Sequence, residues 1–561
     1  MALRSGSVAT LRRPFAAEAG VVAAGHQDVA DVGAEILKRG GNVVDAIVAA
    51  AFASFVVEPA SCGIGGHGRL SIHQAGSGRT IGIDHFVRAP AQATPEMYQA
   101  ALRGGSALGR DDSEGAINAT GHLSVGIPGA IAGLTEAHRR FGSLPWAELL
   151  QPAIALARAG LPVDARLALH ILGRAAELSD YPAAAAWLMP GGLPPRPASF
   201  GEIFARLDGS AMTDTLDVLA RKGGEAFYKG AIARAIEREM EANGGLLSAD
   251  DLACYRPHVF IAPNHSYRRW RYVTGGDLIA VETLNILEQF DLAGLGADSA
   301  GYRHLMAEAM AQAFVDNFAH AGDPFHVSSP LDGLASKAYA AGIAGTISLD
   351  RARQQIRPGD PWAQQGSSTG TKPLPEFEGT TQICVADRRG DMASLITSLG
   401  SAFGSLVMVP GTGILLGNAM QWFDPRPGRA NSVGPGRMPL YAAPVLLAFA
   451  GERAIAALAA SGGYRIQTAV LHGLVNRLDH AMEPQAALEA PRVHAAGDGV
   501  DVDARIEAAV IHELEVMGHR LRPIDAQGLR GGFGRPSAVW RDERGLLHAA
   551  SDPSAGGVAG F

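Results

Sequence analysis

Cysteine is nearly absent. The chain has three in 561 residues, Cys62, Cys254 and Cys384. They are odd in number, far apart and form no C-x-x-C pair, which argues against a disulfide framework or a zinc knuckle and favours buried free thiols in a reducing compartment. Charge of one sign is also scarce. With 48 basic and 56 acidic residues the formal net charge is −8, mild for this length. No basic block points to nucleic acid, and no polybasic run points to an anionic membrane. Long hydrophobic runs are missing too. The Ala-rich stretch Val43–Val57 is interrupted by Asp45 and Ser54 and is too short to span a bilayer. The N-terminus carries basic residues without an apolar core, unlike a signal peptide. These absences predict a soluble, cytoplasmic protein that acts on a small molecule.

What is present is material for a large core, since 47% of residues are hydrophobic and 19% charged. Residues 27–57 have helical spacing, broken at Gly40-Gly41 into two helices, the second so apolar that it should lie buried on a sheet. A glycine-rich turn, Cys62–Gly68, precedes a predicted strand over Arg69–His73. Further helices are predicted within 129–160, 215–243, 301–320, 464–480 and 503–518. Residues 357–379, rich in Pro, Gly, Ser and Gln, predict a flexible surface segment. Directly after it, Thr381–Ala386 and Met392–Leu399 read as two strands of a hairpin about the turn Asp387–Asp391. Hairpins flanked by long buried helices imply a layered α+β architecture.

Two motifs fail on context. Gly63-Ile-Gly65-Gly-His-Gly68 matches the dinucleotide-binding pattern, but a helix precedes it and a strand follows, the reverse of what that site needs. Gly366-Ser-Ser368-Thr-Gly370 matches a nucleophile elbow but sits in the polar segment, without an apolar strand before it. The 18 histidines show no close metal-ligand pair in the sequence, so neither a metal nor a cofactor is expected.

The informative place is Glu378-Gly379-Thr380-Thr381. A threonine hydroxyl is a weak nucleophile without an adjacent base. Cleavage of the Gly379–Thr380 bond would supply one, an α-amine whose pKa is roughly 7.7–8.0 in model peptides. The same hydroxyl could first attack the Gly379 carbonyl, where no Cβ crowds it.

Several segments then match one family in order. Gly33-Ala-Glu-Ile-Leu-Lys-Arg-Gly-Gly-Asn-Val-Val-Asp45, Val57-Glu-Pro-Ala-Ser-Cys-Gly-Ile-Gly-Gly66, Val125–Ala130, Asp250–Tyr255 and Ala309–Asn317 with Gly322-Asp-Pro324 precede Thr380. Thr380–Asp387, Gly413–Leu416, Ser461-Gly-Gly463 and Ala550–Pro553 follow from there on. Over nearly its whole length the chain resembles the gamma-glutamyltransferase family of N-terminal-nucleophile hydrolases. The resemblance implies an αββα four-layer sandwich and self-cleavage into residues 1–379 and 380–561, two fragments that stay together as one structural unit. It implies Thr380 as nucleophile, Ser398 in place of a second threonine that hydrogen-bonds it, and the Gly462 and Gly463 amides as oxyanion hole.

Against that family's pattern the glutamyl clamp is altered. Phe86 stands where an arginine is expected, with Arg88 two residues late. Gly400 replaces an asparagine, Trp422 an acid, and Tyr441 and Ala442 the paired serines. Phe86, Trp422 and Tyr441 imply an apolar pocket, and the short Phe423–Pro439 segment implies no lid. The resulting expectation is an acylase or amidohydrolase acting through an acyl-Thr380 intermediate. Divergent relatives of this kind include cephalosporin-type acylases, small-amide hydrolases and carbon–carbon hydrolases of natural-product pathways. Genuine γ-glutamyl hydrolysis or transfer and a non-catalytic scaffold are the alternatives.

Overall fold

The hairpin after Gly379 is the centre of the molecule. In the computed structural model, which describes residues 12–102, 116–196, 205–365, 379–440, 443–497, 499–525, 532–554 and 556–561, Thr380–Asp387 pairs antiparallel with Met392–Ser398. Gly390, at φ +100°, closes the turn. Every residue of both strands is buried, as expected for strands covered on both faces.

They lie in the middle of a seven-stranded antiparallel sheet. Its order is Gly557–Gly560, Gly20–Ala24, Thr380–Asp387, Met392–Ser398, His67–Gln74, Arg79–His85 and His258–Ile261. A second seven-stranded sheet runs Phe15–Ala17, Leu547–Ser551, Arg535–Arg541, Arg453–Ser461, Leu446–Ala450, Trp270–Val273 and His265–Tyr267. In both, strands from beyond residue 380 are interleaved with strands from before it.

Side-chain alternation sets the layers. Ile383, Val385, Ala393 and Leu395 join one apolar cluster with the helix Val43–Val57. Cys384, Ala386, Met392 and Ile396 join another with Ala456, Leu458 and the helices Leu278–Leu287, Ala300–His320 and Arg465–Leu478. Polar side chains also tie the sheets together. Ser394 Oγ donates to Leu458 O at 3.0 Å, and Gln382 Nε2 donates to Ser537 Oγ at 3.0 Å. Helices cover the outer face of each sheet, giving the αββα sandwich.

The helices begin and end where the local chemistry dictates. Gly40, at φ +96°, separates Gln27–Lys38 from Val43–Val57. Asn42 caps the second helix in a capping box with Asp45. The buried Asp45 carboxylate also accepts from the Ser143 amide at 2.9 Å and from the Ser143 hydroxyl.

Three expectations need correction. The helix predicted over 503–518 is Ala508–Val516; Asp503 ends the strand Gly499–Asp503, whose alternating Val500 and Val502 face inward. Residues 357–365 are not a free surface segment, because the Gly359 amide donates to Asp316 Oδ1 at 2.7 Å and Trp362 is buried. Cys62 and Cys384 are buried free thiols, whereas Cys254 is exposed at the end of the short helix Ala249–Cys254. Residues 366–378, including the Gly366–Gly370 motif, lie outside the described residues. Among the described residues no helix is long and apolar enough to cross a membrane.

Asp45→Ala removes the buried acceptor of the Asn42 and Ser143 amides and opens the capping box. It is expected to destabilise the chain by about 1–3 kcal/mol, measured by chemical denaturation in the Thr380→Ala background, where the chain is a single covalent unit.

Candidate active site

The first residue of the hairpin carries the reactive geometry. Thr380 is the register partner of Ser398, so both side chains fall on the face that looks into the space between the sheets. Thr380 Oγ1 and Ser398 Oγ are 3.0 Å apart. Ser398 Oγ donates to the Gly379 carbonyl at 2.5 Å and accepts from the Gly400 amide at 2.8 Å. With its one proton committed to the carbonyl, Ser398 accepts the Thr380 hydroxyl proton. One side chain therefore polarises the bond before Thr380 and orients the neighbouring hydroxyl.

The surrounding glycines allow this crowding. A Cβ on Gly379 would lie 2.4 Å from Ser401 backbone atoms. The glycine-rich turn packs on the same strand end: a Cβ on Gly66 would lie 2.3 Å from Ser398 O, and one on Gly68 would lie 2.2 Å from Ile396 O. The G-x-G-x-x-G pattern thus serves close backbone packing, with a strand after it and no helix to receive a pyrophosphate.

The adjacent Thr381 points the other way, its hydroxyl donating to Glu58 Oε2 at 2.8 Å. Burial raises the Glu58 carboxyl above its ordinary range, with His26, Arg166 and the Thr381 hydroxyl opposing. Thr380 and Thr381 are therefore not interchangeable: strand alternation aims one into the inter-sheet space and anchors the other under a helix.

Gly462 and Gly463 directly follow the strand Arg453–Ser461 and precede the helix Arg465–Leu478. Both have positive φ, +129° and +58°. Their carbonyls accept from the Arg465 and Ile466 amides at 3.0 and 3.1 Å, so their own amides lie at the open, electropositive end of the helix. Gln382, two residues after Thr380 on the same strand, donates to Ser537, whose register partner Ala459 lies two residues before Ser461.

The expected substrate contacts divide. Phe86 is buried, its ring edge-on to His67 at 4.4 Å between centroids; His67 is the register partner of Ser398. Burial first, and the nearby His85, push the His67 imidazole down to about 3, so it is neutral. Trp422 is buried and edge-on to Tyr464 at 5.2 Å. Its place is in the inter-sheet core with Phe86 and Ile396. Gly400, at φ +100°, cannot carry a side chain, since a Cβ would lie 2.1 Å from Asn418 Oδ1 and 2.9 Å from Gln421 Nε2. Asn418 fills that space and accepts from the Ser401 amide at 2.9 Å. Arg88 lies apart, its guanidinium 5.8 Å from the Phe325 ring centre. Tyr441 and Ala442 lie outside the described residues.

His67, Asn418 and Gln421 escaped the sequence reading, because only strand register and loop closure bring them to residues 398–401. The same holds for histidine pairing. His304 and His519, 215 positions apart, sit 2.7 Å from each other beside Glu308, a group that could hold a metal ion. Its atoms already have protein partners: His304 Nε2 donates to Ser348 O at 2.8 Å, and Glu308 holds Arg353 at Nε and at the backbone amide.

A threonine that heads a central strand, its hydroxyl facing the space between two helix-covered antiparallel sheets, fits the class of N-terminal-nucleophile hydrolases. Residues 29–561 match the family model described as Gamma-glutamyltranspeptidase. The Acylase ACY 1 proenzyme of Pseudomonas sp. (strain SE83) is 36% identical over 91% of this chain and 88% of its own length. The Glutathione hydrolase proenzyme of Bacillus subtilis (strain 168) is 32% identical over 96% and 91%. The crystal structure of cephalosporin acylase from Bacillus halodurans superposes with a TM-score of 0.87 at 28% identity, covering 100% of this chain and 99% of that one. The chain belongs to the gamma-glutamyltranspeptidase family, whose members are hydrolases and transferases with an N-terminal threonine nucleophile.

Ser398→Ala removes the donor on the Gly379 carbonyl. It is expected to slow cleavage before Thr380 by about 10²–10³-fold, by analogy with loss of one oxyanion donor. Ser398→Thr should restore most of the rate. Gly379→Ala should slow cleavage through its clash with Ser401. Gel time courses of freshly purified precursor read all three.

Proposed function

We propose that the chain is a self-processing acylase or amidohydrolase with Thr380 as its nucleophile and a substrate other than an ordinary γ-glutamyl amide. The observation that carries this reading is the Gly379 carbonyl held by Ser398 next to the Thr380 hydroxyl. In the precursor, Thr380 Oγ attacks the Gly379 carbonyl carbon while the Ser398 hydroxyl stabilises the oxygen that gains charge. The C–N bond breaks as the nitrogen takes a proton, leaving an ester that water hydrolyses. The products are residues 1–379 and 380–561. They stay together because Thr380–Asp387 and Met392–Ser398 lie between Gly20–Ala24 and His67–Gln74 in one sheet.

In turnover the freed Thr380 amine takes the proton from its own Oγ as that oxygen attacks the substrate carbonyl. The Gly462 and Gly463 amides hold the oxyanion, the amine returns the proton to the leaving group, and water resolves the acyl-Thr380 ester. Support for a non-glutamyl substrate comes from Phe86 and Trp422, apolar where a γ-glutamyl group needs an arginine and an acid. A zwitterionic head placed there without partners costs several kcal/mol. The 36%-identical relative named as an acylase points the same way.

A second reading, γ-glutamyl hydrolysis or transfer, is favoured by the 32%-identical glutathione hydrolase proenzyme. Denaturing mass spectrometry tests the shared mechanism. The expected outcome is two fragments starting at Met1 and Thr380 in the wild type and one intact chain in Thr380→Ala. A wild-type chain that stays whole on long incubation would remove the catalytic assignment and favour a non-catalytic scaffold. Substrate choice is read from kcat/KM on apolar N-acyl anilides against glutathione and γ-glutamyl anilide, with the acyl substrates expected to lead by about 10²–10³-fold. Glutathione in the lead would establish the second reading instead.

A further inference from the structure

The helix Ala300–His320 carries His304 and Glu308 one turn apart on the same face, and both are buried. His519 meets them from the other side of the Gly379–Thr380 bond in the chain. It follows the helix Ala508–Val516, where the Gly518 amide donates to Glu515 O at 2.9 Å and the His519 amide to Leu514 O at 3.1 Å. With Gly518 at φ +99° this is a Schellman ending, which holds the His519 backbone in one place. His519 Nε2 then lies 2.7 Å from His304 Nδ1. One nitrogen of each ring and a carboxylate oxygen of Glu308 all lie within 4.8 Å of one another.

The bonds around these three side chains leave lone pairs for an ion. Ser348 O can only accept, so its 2.8 Å contact keeps a proton on His304 Nε2 and leaves neutral His304 a lone pair at Nδ1. A backbone carbonyl on the outer nitrogen is the support a metal-bound histidine commonly has. Neutral His519 carries one proton, and with that proton on Nδ1 its Nε2 presents a second lone pair. Arg353 holds Glu308 through Nε and its backbone amide, and its own Nη1 is anchored on Gln312 Oε1 at 2.8 Å. Each carboxylate oxygen accepts twice, so one site per oxygen remains. Four-coordinate zinc with bonds of about 2.0–2.1 Å spaces its ligand atoms roughly 3.3 Å apart, so the two rings need to part by only about 0.6 Å. His519 is partly exposed and gives the ion a way in. The Arg353 charge opposes a cation, which places the affinity on the order of micromolar rather than tighter.

We propose that His304, Glu308 and His519 bind one divalent ion of the zinc class, with water in the fourth position. Two imidazoles and a carboxylate suit zinc and its neighbours, whereas magnesium and calcium take oxygen ligands. Two of the ligands belong to residues 1–379 and one to residues 380–561, so after cleavage the ion bridges the two fragments. The bridging role rests on the self-processing reading. Binding of the ion does not, because the three side chains already meet in the uncleaved chain.

The test titrates Co²⁺, read by its visible absorption, and Zn²⁺, read by calorimetry, into the untagged full-length Thr380→Ala precursor and the processed wild type. One ion per chain is expected, with Zn²⁺ displacing Co²⁺ and an excess of Mg²⁺ displacing neither. His519→Ala, at a partly exposed position, should lower Zn²⁺ affinity by at least about tenfold while far-UV circular dichroism stays unchanged. Zn²⁺ at about a hundred times its dissociation constant should raise the folded-to-unfolded ratio of the processed protein about a hundredfold in urea titrations, and His519→Ala should abolish the gain. No bound ion, binding that survives His519→Ala, displacement by Mg²⁺, or a processed protein that Zn²⁺ does not stabilise would overturn the proposal. The precursor titration uses a chain that cannot cleave, so failure here is distinguishable from failure of cleavage at Thr380.

Discussion

The Ser398 hydroxyl is the interaction on which the site depends. It has one proton and two lone pairs, and all three have a place: Gly379 O, Thr380 Oγ1 and the Gly400 amide. A buried hydroxyl so fully used has little rotational freedom. Its position in turn follows from strand register, since Thr380 and Ser398 meet only because the hairpin turn spans Arg388–Asp391. A slip of one residue would place Thr381 toward the inter-sheet space and Thr380 under the helix layer. The Thr381–Glu58 hydrogen bond opposes that slip from the opposite face. The reactive geometry is thus a consequence of β-pairing, with both faces of the sheet enforcing one register.

The glycines around this centre have a common cause. Gly66, Gly68, Gly379 and Gly400 all face backbone or buried amide atoms at distances a Cβ does not tolerate. They bring three chain segments into contact at the end of two central strands, where the Gly379–Thr380 peptide is held without side-chain bulk. This density of glycine explains why the segment looks like a nucleotide-binding loop while lacking the helix such a loop would need. It also explains why an amide from Asn418, rather than one at position 400, stands next to Ser401.

How far the sequence was legible follows from the range of the interactions involved. Local signals were strong where residues near in sequence decide the outcome. The Gly40-Gly41 break, the all-buried helix Val43–Val57 and the hairpin after Gly379 were each readable from period and turn chemistry. The boundary at 503 was misread because a short strand and a helix follow each other without a breaker. The Pro- and Gly-rich start of the 357–379 segment was misread because its docking on Asp316 is a contact between remote positions. At the site, the Thr380–Ser398 pair was within reach because both residues belong to one hairpin. His67 and the His304–His519 pair were not, since nothing in their local sequence signals partners hundreds of residues away, and Asn418 and Gln421 return to Ser401 only through the closure of an irregular loop of 17 to 20 residues.

On the proposed reading, machinery and specificity occupy different parts of the fold, and that separation has a physical basis. Thr380, Ser398 and the Gly462-Gly463 turn sit on central strands and at a helix start, where any displacement breaks several buried hydrogen bonds at once. Phe86, Arg88 and Trp422 sit beyond the strand Arg79–His85 and in the short turn Ala419–Trp422, where exchanging a charge for an aromatic ring repacks a wall without disturbing the sheet register. Exchanging the clamp's polar groups for apolar ones also removes the need to satisfy a buried zwitterion, so the altered pocket is self-consistent without substrate. A fold that anchors its nucleophile by register can therefore change what it accepts while keeping how it reacts.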